Sequence, residues 1–286
     1  VKNKIFAAIV GFLTLIMVLL ASPTQSYNHL TQINELYVFG DSLSDTGNVF
    51  QTTNGVYPPS PPYFQGRYSN GLVWVEYLGS KLGLSKEKNI NLAYGGATTV
   101  SGIINGVPGT LAQVYTFTKV NQTINPNALY VIWSGANDYL SGAANPTSAI
   151  ANLSNAVQSL LKAGAKKILV VNLPDLGKLP ATSNNSNSSI LTSVTNSHNL
   201  GLAKSIDLLN QKLVADTKII QLDVHYLYQE AISQPEKFGL KNVTAACLYN
   251  LASCENPDKF LFWDGIHPTT AAHRILAEAA LKALSE

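Results

Sequence analysis

The stretch Leu36-Tyr37-Val38-Phe39-Gly40-Asp41-Ser42-Leu43-Ser44-Asp45-Thr46-Gly47-Asn48 runs from an apolar segment through glycine into a polar turn. A short continuous apolar run closed by a breaker is the pattern of a strand covered on both faces. Similar runs recur at residues 90–94, 129–133, 168–171 and 219–222. Between them apolar residues return at helical spacing. Ile150, Leu153, Val157, Leu160 and Leu161 form one stripe, with Gly164 placed to cap its end, and Ile206, Leu209 and Leu213 form another. The last stripe is Ala272, Ile275, Leu276, Ala279 and Ala280, and Pro268 before it predicts a helix that opens with that proline in its first turn. Strand–helix alternation predicts an α/β fold, a parallel sheet of about five strands with helices on both faces. Ligands of such sheets gather outside the carboxyl ends of the strands, so the loops that follow strands are where chemistry belongs.

Two stretches break the alternation. Residues 52–70 are rich in Pro, Gly, Tyr and Ser, and residues 183–189 form an Asn/Ser tract expected to be a mobile surface loop. Neither a repeat nor a linker divides the chain. At the amino end, Lys2 and Lys4 precede an apolar segment at 5–21 and then Ser22-Pro23-Thr24-Gln25-Ser26. That layout predicts a secretory signal peptide over 1–26 and one domain over 27–286; an uncleaved membrane anchor is the alternative. Export leaves a secreted or periplasmic protein with no stable membrane span. Cys247 and Cys254 lie close together in one polar loop. In an exported chain they are expected to form a disulfide, worth roughly 2–3 kcal/mol for so short a loop. A metal site needs further ligands at suitable spacing, and none is present, so no metal or cofactor is expected.

Composition narrows the function further. Of 286 residues 46% are hydrophobic and 13% charged, with a formal net charge of +2. No run of like charges offers the basic stripe that nucleic-acid binding needs. A few placed polar groups must therefore carry the activity. Ser42 stands just past a buried strand, where a hydroxyl faces the crevice as a nucleophile would; plain helix capping by Ser42, Ser44 or Asp45 is the alternative. Asp264-Gly265-Ile266-His267-Pro268 places a carboxylate three residues before an imidazole. In a tight turn the Asp accepts the Nδ1 proton and leaves Nε2 free to take a proton from a serine; the alternative is that Asp264 only shapes the turn and His267 packs at the helix entry. His29, His198, His225 and His273 lack such a partner and read as surface or satisfied residues. Two further loops offer donors for an oxyanion: the glycine pair Gly95-Gly96, and Asn137 in Ser134-Gly135-Ala136-Asn137-Asp138.

Taken together these blocks resemble the GDSL, or SGNH, esterases and lipases. Gly40-Asp41-Ser42-Leu43, with Ser44-Asp45-Thr46-Gly47-Asn48 behind it, is similar to the family's first block, Gly95-Gly96 within residues 91–97 to its second, Gly135-Ala136-Asn137-Asp138 to its third and Asp264-Gly265-Ile266-His267-Pro268 to its last. They stand in family order. Residues 66–71 and 254–259 resemble segments of the plant-type branch. The resemblance implies a flavodoxin-like α/β/α sandwich and a cofactor-free ester hydrolase. Ser42 would be the nucleophile, His267 the base and Asp264 its orienting partner. The Ser42 and Gly96 N–H groups and the Asn137 side chain would form the oxyanion hole. The partner would be a small-molecule, lipid or carbohydrate ester. Acyl transfer to an alcohol would use the same residues. A non-catalytic binding module is the remaining alternative, and its support is the aromatic-rich segment of Tyr57, Tyr63, Phe64 and Tyr68.

Overall fold

The computed structural model describes residues 33–286. The expected signal segment and His29 lie outside them. The central sheet is made of β1 (Glu35–Gly40), β2 (Asn89–Asn91), β3 (Ala128–Trp133), β4 (Lys167–Val171) and β5 (Lys218–Leu222). All pair in parallel, in the order β2-β1-β3-β4-β5. The helices are α1 (Trp74–Lys81), α2 (Thr110–Val120), α3 (Ala136–Leu140), α4 (Thr147–Ala163), α5 (Ser188–Asn210), α6 (Val224–Ser233) and α7 (Thr270–Ser285).

Alternation along the strands divides the interior into two cores. Leu36, Val38, Leu129, Val131, Leu169 and Val171 pack with α1, α6 and α7. Phe39, Tyr130, Ile132, Ile168 and Val170 pack with α2, α4 and the second half of α5. Period-2 strands between period-3.6 helices bury both faces, which gives the expected α/β/α sandwich. Sequence order reverses between β1 and β3, so the loops after those strands diverge and leave a crevice at their carboxyl ends.

Several boundaries differ from the expectations. β2 is only three residues long, yet the Leu92 and Tyr94 N–H groups still donate to the Val38 and Gly40 carbonyls (2.8 and 3.1 Å). α7 begins at Thr270, not at Pro268, because Thr269 is extended and its hydroxyl caps Ala272 N–H. Leu213 lies past the end of α5. The Asn/Ser tract is exposed, as expected of a surface segment, but residues 183–187 run through turns and Ser188 already begins α5. Asn185 N–H bonds to the Thr182 carbonyl, and the Ser188 hydroxyl to the Gly177 carbonyl as α5 begins. Cys247 and Cys254 are disulfide-bonded. Among the described residues no helix is long and apolar enough to cross a membrane.

The end of β1 is the tightest point of the sheet. Gly40 pairs with Trp133 of β3, and a Cβ at position 40 would overlap the Trp133 carbonyl. Gly40→Ala is expected to cost about 3 kcal/mol, the upper range for an overpacked interior. Urea unfolding checks this; an unchanged midpoint would show that β1 and β3 separate freely there.

Candidate active site

The loop after β1 assigns its polar groups to different tasks. The Asp45 carboxylate accepts from the N–H groups of Gly47 (2.7 Å), Asn48 (2.6 Å) and Val49 (3.3 Å), and so caps the short helix Asn48–Thr52. Ser44 Oγ accepts from the Trp74 indole at 3.1 Å. Capping is therefore the work of Asp45, and the Ser42 hydroxyl faces His267 instead.

The loop after β2 is tied to this one through Asp45 Oδ2, which accepts the Gly95 N–H at 2.8 Å. That bond separates the two adjacent glycines. Gly95 has its donor engaged, whereas the Gly96 N–H has no acceptor among the described residues, and neither has the Ser42 N–H. Gly96 sits at φ +81°, a left-handed conformation that glycine adopts without penalty, and the space where a Cβ would project is open. From α3, the Asn137 side-chain amide donates to the Ala97 carbonyl at 3.0 Å, which leaves its second N–H hydrogen uncommitted. Asp138 accepts the Thr99 N–H (3.0 Å) and hydroxyl (2.7 Å), locking α3 to the same loop.

The turn before α7 closes the site. Asp264 Oδ1 accepts the Ile266 and His267 N–H groups (2.8 and 2.7 Å), and Oδ2 meets His267 Nδ1 at 2.7 Å. His267 Nε2 lies 2.9 Å from Ser42 Oγ. Asp264 thus shapes the turn with one oxygen and orients the imidazole with the other. Burial pulls its carboxyl upward, but the His267 charge and the hydrogen bonds outweigh it and hold the group at about 2. Asp41 behaves oppositely. It is fully enclosed, its Oδ2 has no partner, and burial pushes it up to about 7. His198 and His273 are buried, and desolvation lowers them to about 4 and about 3. His198 Nδ1 meets the Tyr139 hydroxyl at 2.7 Å, and His273 Nδ1 accepts the Trp74 N–H at 3.2 Å. Such an assembly can move a proton from the Ser42 hydroxyl to imidazole beside N–H groups that have no other partner.

A family model for the GDSL-like lipase/acylhydrolases matches residues 36–280, spanning all four blocks. The chain belongs to this family. Membership makes it an ester hydrolase of the serine type. It is 31% identical to the thermolabile hemolysin of Vibrio parahaemolyticus, over 90% of this chain and 68% of that protein. It is 29% identical to the phosphatidylcholine-sterol acyltransferase of Aeromonas hydrophila, over 92% and 93% of the two chains. The fold is similar to the crystal structure of a carbohydrate acetylesterase from Sinorhizobium meliloti, at a TM-score of 0.52 and 16% identity over 87% of this chain and 97% of that one.

Three residues around this arrangement were not legible in the sequence. The Gln113 side chain on α2 accepts the Gly40 N–H (2.9 Å) and donates to the Gly40 carbonyl (2.9 Å) and to the Pro108 carbonyl (3.1 Å). It acts as one more peptide group where β2 has already ended. From the proline-rich segment, the Tyr63 hydroxyl donates to Asp264 Oδ2 at 2.7 Å, and the Tyr68 ring lies 5.1 Å from that of His267. A buried glutamine in a helix carries no local signal, and the tyrosines read as a generic aromatic loop. Gln113→Ala strips the Gly40 N–H of its buried partner and is expected to cost about 2–3 kcal/mol in thermal or urea unfolding. An effect below about 0.5 kcal/mol would mean that the strand end is held by other contacts.

Proposed function

We propose that the chain is an exported carboxylic ester hydrolase working through a Ser42–His267–Asp264 triad and an acyl-enzyme. Residues 1–26 would be the signal peptide and 27–286 the mature domain. The observation that carries the reading is the continuous hydrogen-bond chain from Ser42 Oγ through His267 to Asp264. Ser42 Oγ attacks the ester carbonyl carbon while His267 Nε2 takes the hydroxyl proton. The carbonyl oxygen gains negative charge and is met by the Ser42 and Gly96 N–H groups and the Asn137 amide. Collapse of the intermediate expels the alcohol, which leaves with the proton from His267. Water then gives a proton to His267 and attacks the acyl carbon, and the carboxylic acid departs as Ser42 regains its proton. Asp264 stays ionised throughout and favours the imidazolium that forms in each half. The Cys247–Cys254 disulfide supports export, since such bonds persist in oxidising compartments.

Acyl transfer to an alcohol is the second reading. It is favoured by the 29% identity to a protein named for transfer to a sterol. The acceptor replaces water in the second half, with the same residues. Product analysis with added sterol or sugar alcohols separates the two.

Ser42→Ala should abolish hydrolysis of p-nitrophenyl esters and labelling by a fluorophosphonate, with an unchanged circular dichroism spectrum. Retained turnover overturns the assignment. Asn137→Ala should lose about 10²–10³ in turnover, the usual cost of one oxyanion donor. The reaction needs a general base free to accept the Ser42 proton, so activity should fall in acid. Burial pushes the Asp41 carboxyl up to about 7, so Asp41→Asn, which imitates its protonated form, shows whether Asp41 or the base sets that fall. The acid limb should survive in that variant, and its disappearance would assign the limb to Asp41.

A further inference from the structure

The Asp264 carboxylate accepts four hydrogen bonds, which fills its lone-pair directions. Three of the donors, the Ile266 and His267 N–H groups and His267 Nδ1, belong to its own turn. The fourth is the Tyr63 hydroxyl, 201 residues away in sequence and 2.7 Å from Oδ2, the same oxygen that faces the imidazole. The proline-rich segment reaches the turn at further points. The Ser69 hydroxyl donates to the Pro268 carbonyl at 2.9 Å, Asn70 Oδ1 accepts the Thr270 N–H at 2.8 Å, and Tyr68 packs on His267. Tyr63 and Tyr57 meet Tyr68 edge-on at 6.4 and 5.9 Å. The segment is anchored in turn by Arg67, whose guanidinium donates to both Glu76 oxygens on α1 at 2.7 and 3.2 Å. Tyr63 is therefore delivered by a fastened loop.

We propose that Tyr63 is a positioning residue of the proposed triad: its hydroxyl holds the Asp264 carboxylate in the orientation that aligns His267 with Ser42, and it tempers the charge that Oδ2 presents to the imidazole. The proposal rests on the triad reading above. The turn's own N–H donors move with Asp264 and cannot fix it against the rest of the molecule, whereas Tyr63 can. A phenol donating to a carboxylate also withdraws charge from the receiving oxygen, so the imidazolium is stabilised less than by a carboxylate free of that donor. Burial and the Asp264 charge raise the Tyr63 phenol, so it remains a donor throughout the working range. The other titratable groups around the pair are Tyr57 and Tyr68 on the same segment, Asp41 and Asp45 after β1, Asp138 on α3 and His273 on α7.

The test compares pH profiles of kcat/KM on p-nitrophenyl butyrate for the wild type, Tyr63→Phe and Ser69→Ala, with active sites counted by fluorophosphonate titration. Tyr63→Phe should move the acid limb to higher pH by on the order of half a unit, because the freed carboxylate favours the imidazolium more strongly. It should also lower kcat per labelled site roughly tenfold through lost alignment, with KM within about twofold. Ser69→Ala removes a hydrogen bond to the same turn without touching Asp264 and should leave the limb in place. An unmoved limb in Tyr63→Phe overturns the proposal, as does a loss of rate confined to the number of labelled sites. An equal shift in Ser69→Ala also overturns it, by assigning the effect to the loop as a whole. If wild-type activity does not depend on Ser42, the triad reading itself fails, an outcome read from Ser42→Ala and independent of the Tyr63 profile.

Discussion

β1 and β3 meet at their carboxyl ends so closely that position 40 has no room for a side chain. This contact decides where Ser42 and Asn137 stand. With Gly40 set against the Trp133 backbone and its own N–H and carbonyl held by Gln113, the turn that follows has little freedom. The loop after β3 starts beside it and enters α3 with Asn137 in the first turn. Because strand order reverses between these neighbours, one loop leaves toward each side and the crevice opens between them. Had a Cβ spread the strands, both groups would have moved apart together.

Around that contact the loops are joined by polar side chains. Asp45 ties the first loop to Gly95, Asp138 ties α3 to Thr99, and Asp264 closes the turn that carries His267. Each tie is a carboxylate accepting backbone N–H groups, worth about 1.5–3 kcal/mol when charge-assisted and enclosed. Only 17 acidic residues occur in 286, and these three lie within the GDSL motifs. The motifs are thus partly structural: alongside the groups assigned to chemistry, they contain the carboxylates that hold the loops in register.

Much of this was legible before folding. Four of the five strands announced themselves as apolar runs bounded by breakers, while β2 meets the expected run only at Ile90 and Asn91, and Gly164 takes the left-handed conformation expected of a helix cap, at φ 112°. The i, i+3 spacing of Asp264 and His267 implied their contact, since a turn of that length brings the two side chains together. Where expectations slipped, a nearby polar group was responsible. The Thr269 hydroxyl caps α7 one residue beyond Pro268 and leaves that proline outside the first turn, and the Ser188 hydroxyl bonds to the Gly177 carbonyl where α5 begins, inside what reads as a surface loop.

Local spacing and periodicity specified the sheet, the helices and the turn that joins base to carboxylate, because each of those depends on residues a few positions apart. The meeting of Ser42 with His267, 225 residues on, required the folded chain. So did the difference between Gly95 and Gly96, which turns on one bond to Asp45. The proline-rich segment shows the boundary most plainly. Its tyrosines suggested a binding surface, and the fold instead lays Tyr63 and Tyr68 against Asp264 and His267. A hydrogen bond between residues two hundred positions apart leaves no periodic trace along the chain; only the packing of the intervening sheet brings donor and acceptor within reach.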